Sequence, residues 1–343
     1  MAQGERNTLH VVWRDISERK ELERQLRHSA KLEAIGKLAG GIIARYGFVV
    51  LGLIGLGLLL YYYHTDPFWT QGQQNASPTA LVALGPIEWF HPALMTLLIA
   101  EVVVITLVAL YMSAGSVSKE REDGTLDIML TTPITPRYYV WGKLRGLVRF
   151  LSVMIALPVI SLGLVSLYSF LGGLLGWKQA LFKHTSDGGG YYGNTGTVEY
   201  VPLAIPEAAV LLLLMLLPFV ALCVGIGMFW SLKAKGVLGA VVPSVAIIGA
   251  GSLVLALCGL SASSNIPLVG PVLNAFSPST NIVMLVNPYA YVDQFDQDPL
   301  LGRITLYIGA LAVCGGYATI VWAMIAAMVR GFDHTVRRLS GTK

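Results

Sequence analysis

Six stretches of mostly apolar residues constrain this chain more than any motif. They cover residues 46–63, 93–113, 147–171, 207–230, 237–260 and 303–329. A run of about 20 such residues crosses roughly 30 Å of hydrocarbon as a helix, the one conformation in which a single segment satisfies all its own backbone polar groups. Of the 343 residues 55% are hydrophobic and 13% charged, whereas a soluble domain carries about 25% charged residues. The expected fold class is therefore all-α and integral to the membrane, a six-span helical bundle.

Where the positive residues sit predicts orientation, because basic loops resist translocation. Segment 114–146 holds Lys119, Arg121, Arg137, Lys143 and Arg145, the turn 231–236 holds Lys233 and Lys235, and the tail holds Arg330, Arg337, Arg338 and Lys343. The alternate connections, 64–92, 172–206 and 261–302, hold only Lys178 and Lys183. Eleven against two places both termini in the cytoplasm of an inner-membrane protein, and the polar first 45 residues, with no apolar core of a signal peptide, agree. A net charge of +4 gives no reason to expect a nucleic-acid partner. Cys223, Cys258 and Cys314 fall inside apolar runs at spacings unlike those of a metal site.

Two outer connections carry more detail. Residues 266–276 and 281–292 are apolar but short and broken by Pro267, Pro271, Pro278 and Pro288, so re-entrant or interfacial helices packed on protein are expected before the sixth span. The Gly-rich stretch 184–197 reads as a flexible loop without the lysine of a nucleotide-binding loop. His64, His91 and His184 lie singly in outer connections and read as solvated loop residues, with no partner constellation for catalysis.

Glu101 stands in the middle of the second span. An acid at the bilayer centre costs on the order of 3 kcal/mol on insertion scales. Both a substrate- or proton-contacting acid facing the bundle interior and a protonated or hydrogen-bonded structural residue fit that position.

The connection between spans two and three is the anomaly. "VSKEREDGTLDIMLTTPITP", residues 117–136, gathers Lys119, Glu120, Arg121, Glu122, Asp123 and Asp127 between two membrane-length runs. Leu126, Met129 and Leu130 form a late apolar stripe that can lie on a membrane surface, and Pro133 and Pro136 stop the helix. Tyr138, Tyr139 and Trp141 then fall at interface depth. This stretch resembles the signature of export-type ABC transporter permeases of the second membrane class, in which an acid-basic-acid cluster precedes Gly-Thr-Leu, a Leu-rich turn, Thr-Pro and a Gly-Lys. The matching residues are Glu120, Arg121, Glu122, Gly124, Thr125, Leu126, Leu130, Thr132, Pro133, Gly142 and Lys143, and the resemblance extends over about 46–343.

That resemblance implies that 117–133 is a coupling helix docking in a cleft of a separate ATPase subunit. Glu120, Glu122 and Asp123 would face the ATPase, Gly124 would permit a tight bend, and Pro133 would end the lever. Arg121, Thr125, Leu126 and Lys143 complete the implied ATPase-coupling set; Glu101 is no part of it and keeps the two readings given above, on a substrate path or structural. No cofactor is expected on this chain, which lacks a G-x-x-x-x-G-K-[ST] loop, so ATP and Mg²⁺ belong to the partner. A second permease copy or a similar chain, and the lipid bilayer, are the other expected partners.

Residues 1–45 do not share that pattern. "RDISERKELERQL" and "KLEAIGKLAGGI" within 10–42 resemble the junction between a PAS domain and the dimerisation helix of a sensor histidine kinase. The phosphoacceptor histidine expected after Gly-Gly-Ile is replaced by Ile43, Ala44 and Arg45, and His28 precedes the motif, so no kinase activity is expected. A dimerising helix fused ahead of the permease domain and a product of gene assembly both fit. The chain thus reads as a non-catalytic ABC transporter permease subunit that moves substrate outward at the expense of ATP. A membrane-anchored signalling protein derived from a sensor kinase is the alternative.

Overall fold

A computed structural model describes residues 44–66, 86–122, 136–177, 181–185, 198–234, 236–263, 266, 269–292 and 298–339. The chain divides into two compact units, Met1–Leu51 and Gly52–Lys343. The described part of the first is the opening of helix α1, where the Arg45 guanidinium lies 5.1 Å from the Tyr46 ring centroid.

Six helices are long and apolar enough to cross a membrane, at α1 (Ala44–Thr65), α2 (Pro86–Glu122), α3 (Pro136–Leu175), α4 (Ala208–Lys233), α5 (Val237–Ser263) and α9 (Pro299–Leu339). Each expected span falls on one of them, and the protein is an all-α, multi-pass membrane bundle. Several outrun the hydrocarbon: α2 has 37 residues and α3 has 40, about 55 and 60 Å of helix. In the apolar window of α4 56% of residues are buried, against 11% in α5, so α4 is the central post and α5 an outer one.

Helices meet this post through small residues. A Cβ added at Gly227 of α4 would collide with the Ser113 side chain of α2 and come within 3.1 Å of the Ala114 amide nitrogen. A similar approach brings α1 inward: a Cβ at Gly52 would lie 2.5 Å from Leu157 of α3. Hydroxyls inside the spans turn back onto their own helix, as in Thr106 to Val102 O at 2.8 Å and Ser244 to Ala240 O at 2.7 Å, which removes them from hydrocarbon without a foreign partner.

At one end, between α3 and α4, strands β1 (Leu181–Thr185) and β2 (Val198–Pro202) pair antiparallel with Leu181 opposite Pro202. The ribbon captures both flanks of the stretch expected as a loop, and residues 186–197 lie outside the described residues. Its exit is stitched to the bundle: the Leu203 amide donates to Ser169 Oγ at 2.8 Å, Ser166 Oγ donates to Ile205 O at 3.0 Å, and His91 Nε2 meets Leu203 O at 3.1 Å. His91 is thus a buried residue of α2, which corrects its reading as a solvated loop histidine: α2 begins seven residues earlier than its most apolar stretch and draws the imidazole onto a carbonyl that needs a donor. His64 belongs to α1 and lies 2.9 Å from Tyr168 OH.

The broken helices before the last span are α6 (Val269–Ala275), α7 (Pro278–Val286) and α8 (Pro288–Tyr291), with α6 and α7 meeting at 118°. The bend at Phe276 and Ser277 packs against Tyr317 of α9, which contacts Phe219 of α4 at 5.8 Å between ring centroids. Phe219 lies about 16 Å along α4 from its start, so the pair dips deep into the bundle and turns back. The carbonyls freed at the bend are bonded: Thr280 Oγ1 donates to Asn274 O at 2.5 Å, Asn281 Nδ2 to Ala275 O at 3.3 Å, and Tyr317 OH to Phe276 O. That is the condition on which broken backbone survives at membrane depth.

Replacing Gly227 by Val should lower stability by about 2 kcal/mol or more, because the new side chain meets backbone and cannot be relieved by one rotamer change. Gly225→Ala, whose Cβ would sit 3.7 Å from the flexible Met324 end, should be nearly neutral. Thermal unfolding of the two variants in detergent micelles compares them, and equal stabilities would refute the close approach of α2 to α4.

Candidate functional site at the junction of α2 and α3

α2 carries no break where the coupling segment was expected to begin. Val117 and Ser118 are buried residues of the span-two helix, which runs on to Glu122. The first six residues of 117–133 therefore extend a membrane span in the described structure, and Asp123, Gly124, Thr125, Leu126 and Pro133 lie outside the described residues. Arg121 and Glu122 form the last residues of α2.

The ends of α2 and α3 are clasped directly. Glu120 Oε1 lies 2.7 Å from Lys143 Nζ, and Glu120 Oε2 accepts a hydrogen bond from Tyr139 OH at 2.6 Å. Lys143 Nζ also donates to the Ser116 carbonyl and stands 5.1 Å from the Tyr139 ring centroid. Tyr139 and Lys143 are four residues apart, so they share one face of α3 and hold the two carboxylate oxygens from one side. With side-chain exposures of 25% for Glu120 and 18% for Lys143, the pair is shielded enough that solvent screens it less than an exposed ion pair.

One turn deeper, α4 joins the same junction. Ser231 Oγ receives the amides of Val117 at 3.2 Å and Ser118 at 3.1 Å, and the Ser118 and Ser231 hydroxyls lie 3.1 Å apart. Three spans are thereby tied at the point where α2 and α3 leave the bundle. Tyr139 and Ser231 were not among the residues expected to take part. The i,i+4 spacing of Tyr139 and Lys143 was visible in the sequence, whereas Ser231 follows only from the packing of α4.

Glu101 lies elsewhere. It is 4% exposed, and neither carboxylate oxygen has a hydrogen-bond partner among the described residues. Its Oε1 would lie 3.0 Å from a Cβ at Gly52, so the acid points toward α1 and Leu157 of α3. An apolar cavity of 220 Å³ between α2, α4, α5 and α7 is lined by its neighbour Val102 together with Thr106, Phe219 and Ile282. The structure buries the acid and leaves it outside the lining of that cavity.

Six membrane-length helices with a re-entrant pair and a clasped junction between spans two and three define a multi-pass membrane bundle. The family model described as ABC-2 family transporter protein matches residues 45–330, and the chain belongs to that family. It is a permease component of an ABC transporter, and membership implies an ABC ATPase as partner. Nothing among curated proteins or solved structures matches it. The likeness of residues 10–42 to a sensor-kinase junction finds no support in these comparisons, and that stretch precedes the matched region and lies outside the described residues.

Truncating either member of the clasp should strand the other. Glu120→Ala is expected to cost about 1.5–3 kcal/mol, because the Lys143 ammonium keeps its shielded position without its counter-ion. Lys143→Ala made on top should then cost less than it does alone, by about 1–3 kcal/mol of coupling. Denaturant unfolding of the two single variants and the double variant measures this, and strictly additive losses would show the pair to be energetically independent.

Proposed function

We propose that this chain is the membrane-spanning half of an ATP-driven exporter, with residues 117–133 forming the lever gripped by a separate ATPase subunit that supplies ATP and Mg²⁺. The carrying observation is the Glu120–Lys143–Tyr139 clasp together with Ser231, which makes the junction of α2, α3 and α4 rigid where a lever needs it. In this reading Glu120 acts inside the permease as a positioning residue, and Glu122 and Asp123 meet the partner. Arg121, Gly124, Thr125, Leu126 and Pro133 shape the surface and the end of the lever.

The junction lies on the cytoplasmic side of the inner membrane, with both termini on that side, in keeping with the eleven basic residues of the connections there. Two permease copies, or this chain with a similar one, enclose the path, and α5, the least buried complete span of the second unit, supplies surface for the contact. Glu101 sits where a shift of α1 would bring it into that path. The boundary of the permease domain 46–343 falls at the start of α1, and residues 1–43, which precede it, lie outside the described residues.

The test couples topology to coupling. A Thr125→Cys variant should react with an impermeant maleimide in inside-out vesicles and not in intact cells. In vesicles reconstituted with the ATPase, Glu122→Lys with Asp123→Lys should abolish substrate-stimulated ATP hydrolysis while the permease stays folded. Labelling of Thr125→Cys from outside, or unchanged stimulation in the charge-reversed protein, would overturn the reading.

A further inference from the structure

On the face of the bundle formed by α3, α4 and α9 runs a furrow of 1410 Å³, and a smaller hollow of 310 Å³ adjoins it at the end nearer the clasp. The two share Trp141, Trp322 and Ile325. On α4 the furrow wall from Val210 to Ala221 is apolar. That wall is about 16 Å long, close to half of the roughly 30 Å hydrocarbon and therefore the depth of one leaflet.

The floor at the other end is cationic. Arg145 and Arg149 line the furrow, and Arg137 and Arg330 line the hollow. All four are exposed, and among the described residues none has an ion-pair partner and no carboxylate lines either cavity. The ion pairs among the described residues engage other cations, Lys143 with Glu120 and Arg303 with Glu207. Arg145 and Arg149 stand two and six residues beyond Lys143, about 3 and 9 Å further into the bundle along α3. At that depth a guanidinium facing lipid needs an anion or a route to water. The indoles of Trp141 and Trp322, 44% and 67% exposed, flank the same mouth, as amphipathic rings do at headgroup level.

We infer that this furrow holds a phospholipid with a net negative headgroup, its phosphate between Arg145 and Arg149 and an acyl chain along the apolar face of α4. Guanidinium forks match phosphate oxygens bidentately, and Trp141 and Trp322 fence the glycerol region. The lipid comes from the leaflet at the clasp end, which is the cytoplasmic one on the orientation proposed above. Binding itself does not depend on that orientation. The site lies on a different face from the cavity between α2 and α5, so the lipid is a bound component of the permease surface, distinct from whatever passes through it. With its phosphate on α3 and its glycerol region beside Trp322 of α9, the bound lipid would bridge α3, next to the lever, and α9 across the furrow.

The experiment uses the full-length chain purified in detergent and titrated with phosphatidylglycerol or phosphatidylcholine of identical acyl chains, with retained lipid counted by native mass spectrometry. Phosphatidylglycerol should be retained preferentially, and each of Arg145→Gln and Arg149→Gln should lower its affinity about fivefold. Arg145→Lys with Arg149→Lys should keep most of the preference, and Arg303→Gln should leave it unchanged. Phosphatidylglycerol brominated on its acyl chains should quench tryptophan fluorescence in wild type, and less in Trp141→Phe with Trp322→Phe. Equal retention of the two lipids by wild type, a preference that survives both glutamine substitutions, or quenching unaltered by loss of the two tryptophans would overturn the inference. So would cysteine cross-links showing that a second copy of the chain fills the furrow in the bilayer. Loss of the ATPase-coupling result alone would leave lipid binding standing, because the binding assay contains no ATPase.

Discussion

Hydrocarbon offers no partner to an unpaired amide or carbonyl, and nearly every departure from a straight helix in this protein is shaped by that constraint. Where the chain breaks at Phe276 and Ser277, Thr280, Asn281 and Tyr317 supply the donors that the interrupted helix can no longer provide. Where the ribbon leaves the bundle, Ser166 donates to the Ile205 carbonyl, Ser169 accepts from the Leu203 amide, and His91 meets the Leu203 carbonyl. At the junction of α2 and α4 the logic reverses: the amides of Val117 and Ser118 are within a helix, and Ser231 approaches them closely because Gly227, one turn before it, carries no side chain to hold the helices apart. Close approach of backbones takes the place that water exclusion fills in a soluble core.

The clasp extends that junction to where solvent begins. A carboxylate fully in hydrocarbon would cost more than one ion pair returns, and one fully in water would be screened to little effect. Glu120 stands between these limits, partly covered, with one oxygen on an ammonium and the other on a phenol. Both partners come from a single turn of α3, so the geometry of the pair is set by helix periodicity and a small number of rotamers. This is why two long helices are held together at the point where they part.

The six spans were legible because the hydrophobic signal of a membrane helix accumulates over twenty residues and survives single exceptions such as Glu101 or Pro218. The re-entrant pair was legible from the density of prolines between Pro267 and Pro288. The start of the coupling segment was not, because Val117 to Glu122 contains no residue that stops a helix, and charge alone does not tell a surface helix from the solvated end of a span. The β-ribbon escaped notice since its strands are five residues each, with Gly-rich chain between them whose composition dominates the local signal. His91 looked solvated for a similar reason: its burial depends on Leu203, 112 residues away in sequence.

Glu101 shows how far burial alone carries a functional argument. The acid is covered by Leu157 of α3 and by the close approach of α1 at Gly52, and no donor satisfies it among the described residues. A structural acid in such a place is normally met by a serine, an amide or a cation, as Glu120 is. The carboxyl has no such partner among the described residues, and α1 covers it through a glycine, whose missing side chain lets the two helices come close at that level. The same helix, α2, carries Glu101 at its centre and Glu120 near its end, about 28 Å apart along unbroken helix, so one acid is met by a cation and a phenol where solvent begins while the other is buried in the bundle with no donor among the described residues.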